Sequence, residues 1–150
     1  PFIARWPGKT PSGKISDAIV TFWDMLPTMA EIAGGSMPAG IDGFSVVNAL
    51  LGRPMQQTHE YLYWDYGHNR STYHQAVRLG DFKGVRNGSQ PIELYNLKKD
   101  LGETQDVASV HPETVNRIKQ IMEAAVIPSD RYALGKLYQG EAIWKSSDRW

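Results

Sequence analysis

Between Tyr61 and Leu97 the apolar positions come in short runs broken by turn residues, and on both sides of that stretch they recur at helical spacing. Tyr61-Leu62-Tyr63-Trp64-Asp65-Tyr66 reads as an aromatic strand, which the polar run Gly67–Tyr73 breaks. Gln75 to Arg86 reads as two short strands joined at Gly80-Asp81. Ile92, Leu94 and Leu97 follow, and Leu94-Tyr95 suits a buried strand. Asn96 then interrupts the pattern, and Lys98-Lys99-Asp100 with Gly102 makes a polar turn. The pattern predicts a small antiparallel sheet of three to four strands.

The flanking helices have their own signals. Asp24 is placed to cap a helix running to Gly34-Gly35, with Pro27 in its first turn. Met25, Met29 and Ile32, beside Leu26, Ala30 and Ala33, carry the spacing, and the methionines read as core. Ser45 can cap a short helix through Val46, Val47, Leu50 and Leu51, closed by Gly52. Val107-Ala108 reads as a short turn. Pro112 fits a first helical position, and Val115, Ile118, Ile121, Met122 and Ala125 then share one face until Pro128. Phe2-Ile3-Ala4 reads as a short strand, and Ile15–Phe22 as partly extended. The tail from Arg131 to Trp150 is too apolar for a free linker and is expected to pack on another surface.

Composition narrows the classes. The chain has 150 residues, with 16 basic against 16 acidic side chains and no cysteine. The balance gives no electrostatic case for nucleic acid. The missing cysteine excludes disulfides, thiolate metal sites and a cysteine nucleophile. No apolar run approaches the length of a membrane span. The chain opens inside an apparent strand rather than on a start or a signal pattern, which leads us to expect a piece of a longer protein.

Several stretches carry a resemblance. Gln75-Ala76-Val77-Arg78 with Gly80, Asp81, Lys83 and Val85 comes first. Glu93-Leu94-Tyr95 with Leu97, Asp100 and Glu103 follows, then Asp106-Val107-Ala108 with His111-Pro112-Glu113. In that order they resemble the C-terminal region of the sulfatases, the arylsulfatase-type sulfuric-ester hydrolases of the alkaline phosphatase superfamily. Pro1–Gly8 is similar to the segment after that family's catalytic half. Asp24–Gly34 resembles its DLLPTLAELAG helix, and Asp42-Gly43-Phe44-Ser45 its DGxS turn. The resemblance implies an α+β fold: a small antiparallel sheet packed with a C-terminal helix, preceded by a strand-helix segment of a larger α/β domain. Residues 1–55 would end the catalytic domain, and 56–150 would form the C-terminal subdomain.

Sulfate-ester hydrolysis in that family uses a formylglycine nucleophile, a calcium ion, and Lys and His residues around the sulfate. The formylglycine motif is missing here. Ser36-Met37-Pro38-Ala39-Gly40 comes nearest but has Gly where the motif needs Arg. Asp17, Asp24, Asp42, Asp65, Asp81, Asp100 and Asp106 are scattered, each suited to a cap or a turn. Calcium and formylglycine are therefore expected in a preceding N-terminal part, and the chain alone is expected to be inactive. What remains is the substrate pocket. The loop 67–74 holds His68, Asn69, Arg70 and His74. Arg70 can take a sulfate or carboxylate in bidentate fashion. The histidines suit a leaving oxygen or a sugar hydroxyl, and Asn69 a hydroxyl pair. Read from residues alone, the same loop is a solvated hairpin loop, and Trp64 and Tyr66, which could stack on a sugar ring, read first as core aromatics. His59 and His111 stand apart. The implied partners are the N-terminal catalytic portion and a sulfated small molecule or glycan, with dimerisation through exposed edges an open route. The resemblance also implies a periplasmic or secreted setting. Two other readings stand beside it: a phosphonate or phosphate ester hydrolase of the same superfamily, and a non-catalytic binding module.

Overall fold

The computed structural model describes residues 2–37, 39–68, 70–129 and 133–137. The chain forms two units, Pro1–His59 and Glu60–Trp150.

The second unit is built on a sheet in the order β1-β2-β3-β4, with β1 at Leu62–Tyr66, β2 at His74–Leu79, β3 at Phe82–Asn87 and β4 at Glu93–Asn96. Every neighbouring pair is antiparallel. Gly80 takes φ +58° in the two-residue turn between β2 and β3, a conformation that costs glycine little and suits the twist of a tight hairpin. Register places Val77 opposite Gly84 and Gly84 opposite Leu94. These three positions make one face, and helix α3, Pro112–Ala125, lies across it with Pro112 in the first turn. Val77, Leu94, Ile118, Ile121 and Met122 are buried together there with Ile92.

The acidic residues Asp100 and Asp106 of the 93–111 stretch serve the backbone. Asp106 Oδ1 accepts from Leu94 N at 2.9 Å and Ala108 N at 2.9 Å. Asp100 accepts from Thr104 N at 2.7 Å and Gln105 N at 2.8 Å, and these amides hold its carboxyl below the usual range. Asn96 Oδ1 takes Lys98 N and Lys99 N, closing the predicted turn. Lys83 pairs with Glu103 at 2.6 Å, and Lys98 approaches Asp81 at 3.8 Å.

In the first unit a 3-10 turn, Phe22–Asp24, leads into helix α1, Met25–Ile32, and a single helical turn α2 follows at Val47–Leu50. Asp24 does not act as the simple cap that its position suggests. Its fully buried carboxylate instead receives Thr21 N at 2.8 Å, Phe44 N at 3.2 Å and the His59 ring at 3.0 Å. Thr28 Oγ1 donates to Asp24 O at 2.6 Å and accepts from Val46 N at 2.9 Å. His59 stacks on Phe44 at 4.3 Å. The inward face of the helix therefore sets Thr28, with its polar group satisfied, beside buried Pro27. Its outward stripe, Phe22, Leu26, Met29 and Ile32, is exposed, so Met29 does not fill a core in this unit.

The expected strand at Phe2-Ile3-Ala4 does not form. A strand needs a neighbour to take its N–H and C=O groups, and this unit supplies none among the described residues. Leu134 makes an antiparallel bridge to His68, and Gly135 N donates to Gly67 O at 3.3 Å. That part of the tail folds back on the end of β1. Residues 130–132 and 138–150 lie outside the described residues.

Candidate functional site

The loop expected to carry chemistry leaves β1 and enters β2, so it sits at one end of the sheet. Two glycines shape it. Gly67 adopts φ +127°, and a Cβ there would come within 2.4 Å of Thr72 O. Gly135 lies against the Tyr73 ring, where a Cβ would meet Cδ1 at 2.6 Å.

Register sorts the candidates onto two faces. Tyr66 pairs with His74, and His74 with Asn87, on the face away from α3. There the Arg70 guanidinium lies 5.0 Å from the centre of the Tyr66 ring, a cation–π contact. His74 stacks near the same ring at 6.4 Å and donates from Nδ1 to Asn87 Oδ1 at 2.7 Å. Tyr66 is 58% exposed and Trp64, on the same face, 39%. They are surface aromatics rather than core, although Leu62 on the same side of β1 is buried.

His68 goes to the other face. Its Nε2 lies 2.7 Å from Asp65 Oδ1. Asp65 Oδ2 accepts from Tyr63 OH at 3.0 Å, and Tyr63 OH accepts from Gln75 Nε2 at 2.9 Å. Gln75 Oε1 in turn takes Arg86 Nε at 3.0 Å and Nη2 at 2.5 Å. Burial, with the Asp65 carboxylate adding to it, pushes the Tyr63 hydroxyl up to about 12. Of the four residues singled out in the sequence, Arg70 and His74 meet over one ring, His68 joins Asp65 on the opposite face, and Asn69 lies outside the described residues.

Tyr63, Asp65, Gln75 and Arg86 were not singled out from the sequence. Their signal was present as alternation: Tyr63 and Asp65 are two apart on one strand, and Gln75 is two before the buried Val77. His59 was also passed over, since its partner Asp24 lies 35 positions away. Arg78 donates to Gly80 O at 3.3 Å, a local turn contact. His111 packs its ring edge on Phe82 at 4.9 Å as it starts α3.

Among the described residues no three His, Asp or Glu side chains gather closely enough to hold a metal ion. With no cysteine in the chain, its residues fit neither a calcium centre nor a cysteine-derived formylglycine. No described helix is long and apolar enough to cross a membrane. A shallow groove of about 690 Å³ lies between Pro91, Ile92 and α3 residues such as Pro112 and Val115, away from both His68 and the Tyr66 ring.

The chain is 30% identical over 132 residues to an uncharacterized sulfatase of Schizosaccharomyces pombe, covering 79% of this chain and 23% of that protein. The crystal structure of Ps i-CgsB superposes with a TM-score of 0.72 at 21% identity, over 87% of this chain and 30% of that one. A structure solved in complex with its substrate D-glucosamine-2-N,6-O-disulfate gives a TM-score of 0.66 at 24% identity, over 81% and 26%. Both structures share the α+β fold. The chain thus spans roughly a quarter of the length of these proteins. Residues 1–131 match the family model described as N-sulphoglucosamine sulphohydrolase, C-terminal. With that match added to the four-stranded sheet under α3, the chain belongs to the C-terminal domain family of the sulphohydrolases.

Proposed function

We propose that this chain is the C-terminal portion of a sulfatase whose preceding part carries the formylglycine and calcium, and that it completes the fold and shapes the substrate pocket. One observation carries the pocket role: Arg70, Tyr66 and His74 are gathered on the exposed end of a sheet. The arrangement matches a sulfated sugar. An aromatic face packs against the apolar side of a sugar ring, a guanidinium forks onto a sulfate, and an imidazole fixed by Asn87 addresses a hydroxyl. A sulfated sugar is also what one structural neighbour was solved with. The family match favours sulfur over phosphorus esters and over a stand-alone binding module. On this reading residues 1–55 close the catalytic domain, 56–150 form the subdomain, the chain alone turns over no substrate, and the parent works in the periplasm or outside the cell.

The test is to express the chain together with the reading frame upstream of Pro1 and to measure sulfate release from sulfated sugars. Arg70→Ala is expected to raise KM by about 10- to 100-fold, the range of a lost hydrogen bond to a charged group, with a smaller change in kcat. His74→Ala should act in the same direction. Full turnover by the 150 residues alone, or an unchanged KM in both variants, overturns the reading.

A further inference from the structure

The bonds that end on His68 have a fixed direction. A guanidinium only donates, so the two Arg86 N–H groups turn the oxygen of Gln75 toward themselves. The amide nitrogen of Gln75 then faces Tyr63 OH at 2.9 Å and the Met122 carbonyl of α3 at 3.5 Å. Because its hydroxyl oxygen accepts from Gln75, Tyr63 directs its own proton at Asp65 Oδ2. Burial keeps that proton on Tyr63 well beyond neutral pH. An ionised carboxylate has no proton to give, so at the 2.7 Å contact the hydrogen belongs to His68 Nε2. Gln75 is only 2% exposed, and its amide has a partner for each of its polar atoms. Residues of all of the first three strands contribute: Tyr63 and Asp65 from β1, Gln75 from β2, Arg86 from β3.

We infer that Arg86, Gln75 and Tyr63 are positioning residues that act through Asp65 to make Nε2 the protonated nitrogen of His68. Nδ1 is then the ring atom that gains or loses a proton when the imidazole changes charge. This rests on the reading of loop 67–74 as the substrate-pocket loop, extended to His68 on the face opposite Arg70 and His74, and it gives that histidine a defined donor and a defined basic atom.

The tautomer can be read directly from the ring-nitrogen chemical shifts of His68 in the full chain, without substrate, at a pH where the ring is neutral. The wild-type chain should show the Nε2–H form. Tyr63→Phe removes the donor that orients Asp65 without adding charge, so the carboxylate can turn away from Nε2, and the tautomer ratio should shift toward Nδ1–H by about tenfold, the effect of one hydrogen bond to a charged group. Gln75→Glu keeps a partner for Arg86 but has no N–H for Tyr63, so it draws the phenolic proton away from Asp65 and should move the ratio as well. It also serves if Tyr63→Phe fails to fold. An Nδ1–H tautomer in the wild type, or unchanged ratios in both folded variants, overturns the inference. The substrate reading fails separately: His68→Ala would then leave KM of the longer protein unchanged while the tautomer stays as described.

Discussion

Gly84 lacks a side chain where α3 needs the space. A Cβ at that position would stand 2.7 Å from Ile118 Cγ2 and 3.2 Å from Ile92 Cγ2, both in the buried core. Gly84→Ala is expected to destabilise the chain by about 1–3 kcal/mol through overpacking, partly offset by the smaller backbone entropy of the unfolded alanine chain. A urea midpoint that falls while the slope of the transition is kept would show it; an unchanged midpoint would mean that α3 moves aside freely. This glycine was not legible in the sequence, where it reads as one more residue of an alternating strand. The glycine at position 80 was legible, because a tight turn between two short strands calls for a residue that tolerates positive φ. What separates the two is range: the turn is decided by neighbours, while the Gly84 contact depends on a helix 34 positions on.

At the scale of elements, α1 shows what a helical period can and cannot tell. Its spacing placed the helix correctly within two or three residues, but only part of its apolar set faces inward: Pro27 is buried beside Thr28, while Leu26, Met29 and Ile32 are exposed. Asp24 and Thr28 can be buried because they find enough donors and acceptors there to replace water. Those partners, Phe44, Val46 and His59, are distant in sequence, so nothing local in residues 24–34 could reveal them. Asp24→Ala would leave Thr21 N, Phe44 N and the His59 ring without their acceptor. It is expected to cost about 3–5 kcal/mol, as for removing one member of a buried pair, and to loosen the 42–46 turn. Amide exchange at Phe44 is the direct readout, and protection equal to wild type would show that the carboxylate is dispensable. The antiparallel order of the sheet was far easier to foresee, since short loops leave consecutive strands little choice but to pair. Loop 67–74 fell between these cases. Its residues were picked out by type, but their division between two faces follows from register, which the sequence did not supply.

The whole molecule has a pH dependence that runs through Tyr63. Its hydroxyl is pushed from the ordinary 10.0 up to about 12, first by burial. A group that holds its proton more tightly folded than unfolded contributes stability that is fully present below the unfolded value and lost as pH rises to the folded one. The chain should therefore lose stability between about pH 10 and 12 more steeply than its exposed groups require. Tyr63→Phe should flatten that part of the profile, measured as denaturant midpoints across the alkaline range. Parallel profiles for the two proteins would show that Tyr63 titrates alike in both states. The same window bears on the His68 bonding chain, because a phenolate can no longer donate to Asp65.

The outward stripe of Phe22, Leu26, Met29 and Ile32 carries a consequence for the timing of synthesis. Under the proposed arrangement the part that precedes Pro1 leaves the ribosome before this stripe does. At roughly 5–20 residues per second, the stretch from Ile32 to the end of α3 takes several seconds to tens of seconds to make, so the stripe is made well before the sheet and helix that follow it in the chain. A message broken off between Ile32 and the sheet would therefore yield a product that shows this apolar stripe and lacks the core of the second unit, a species prone to aggregate.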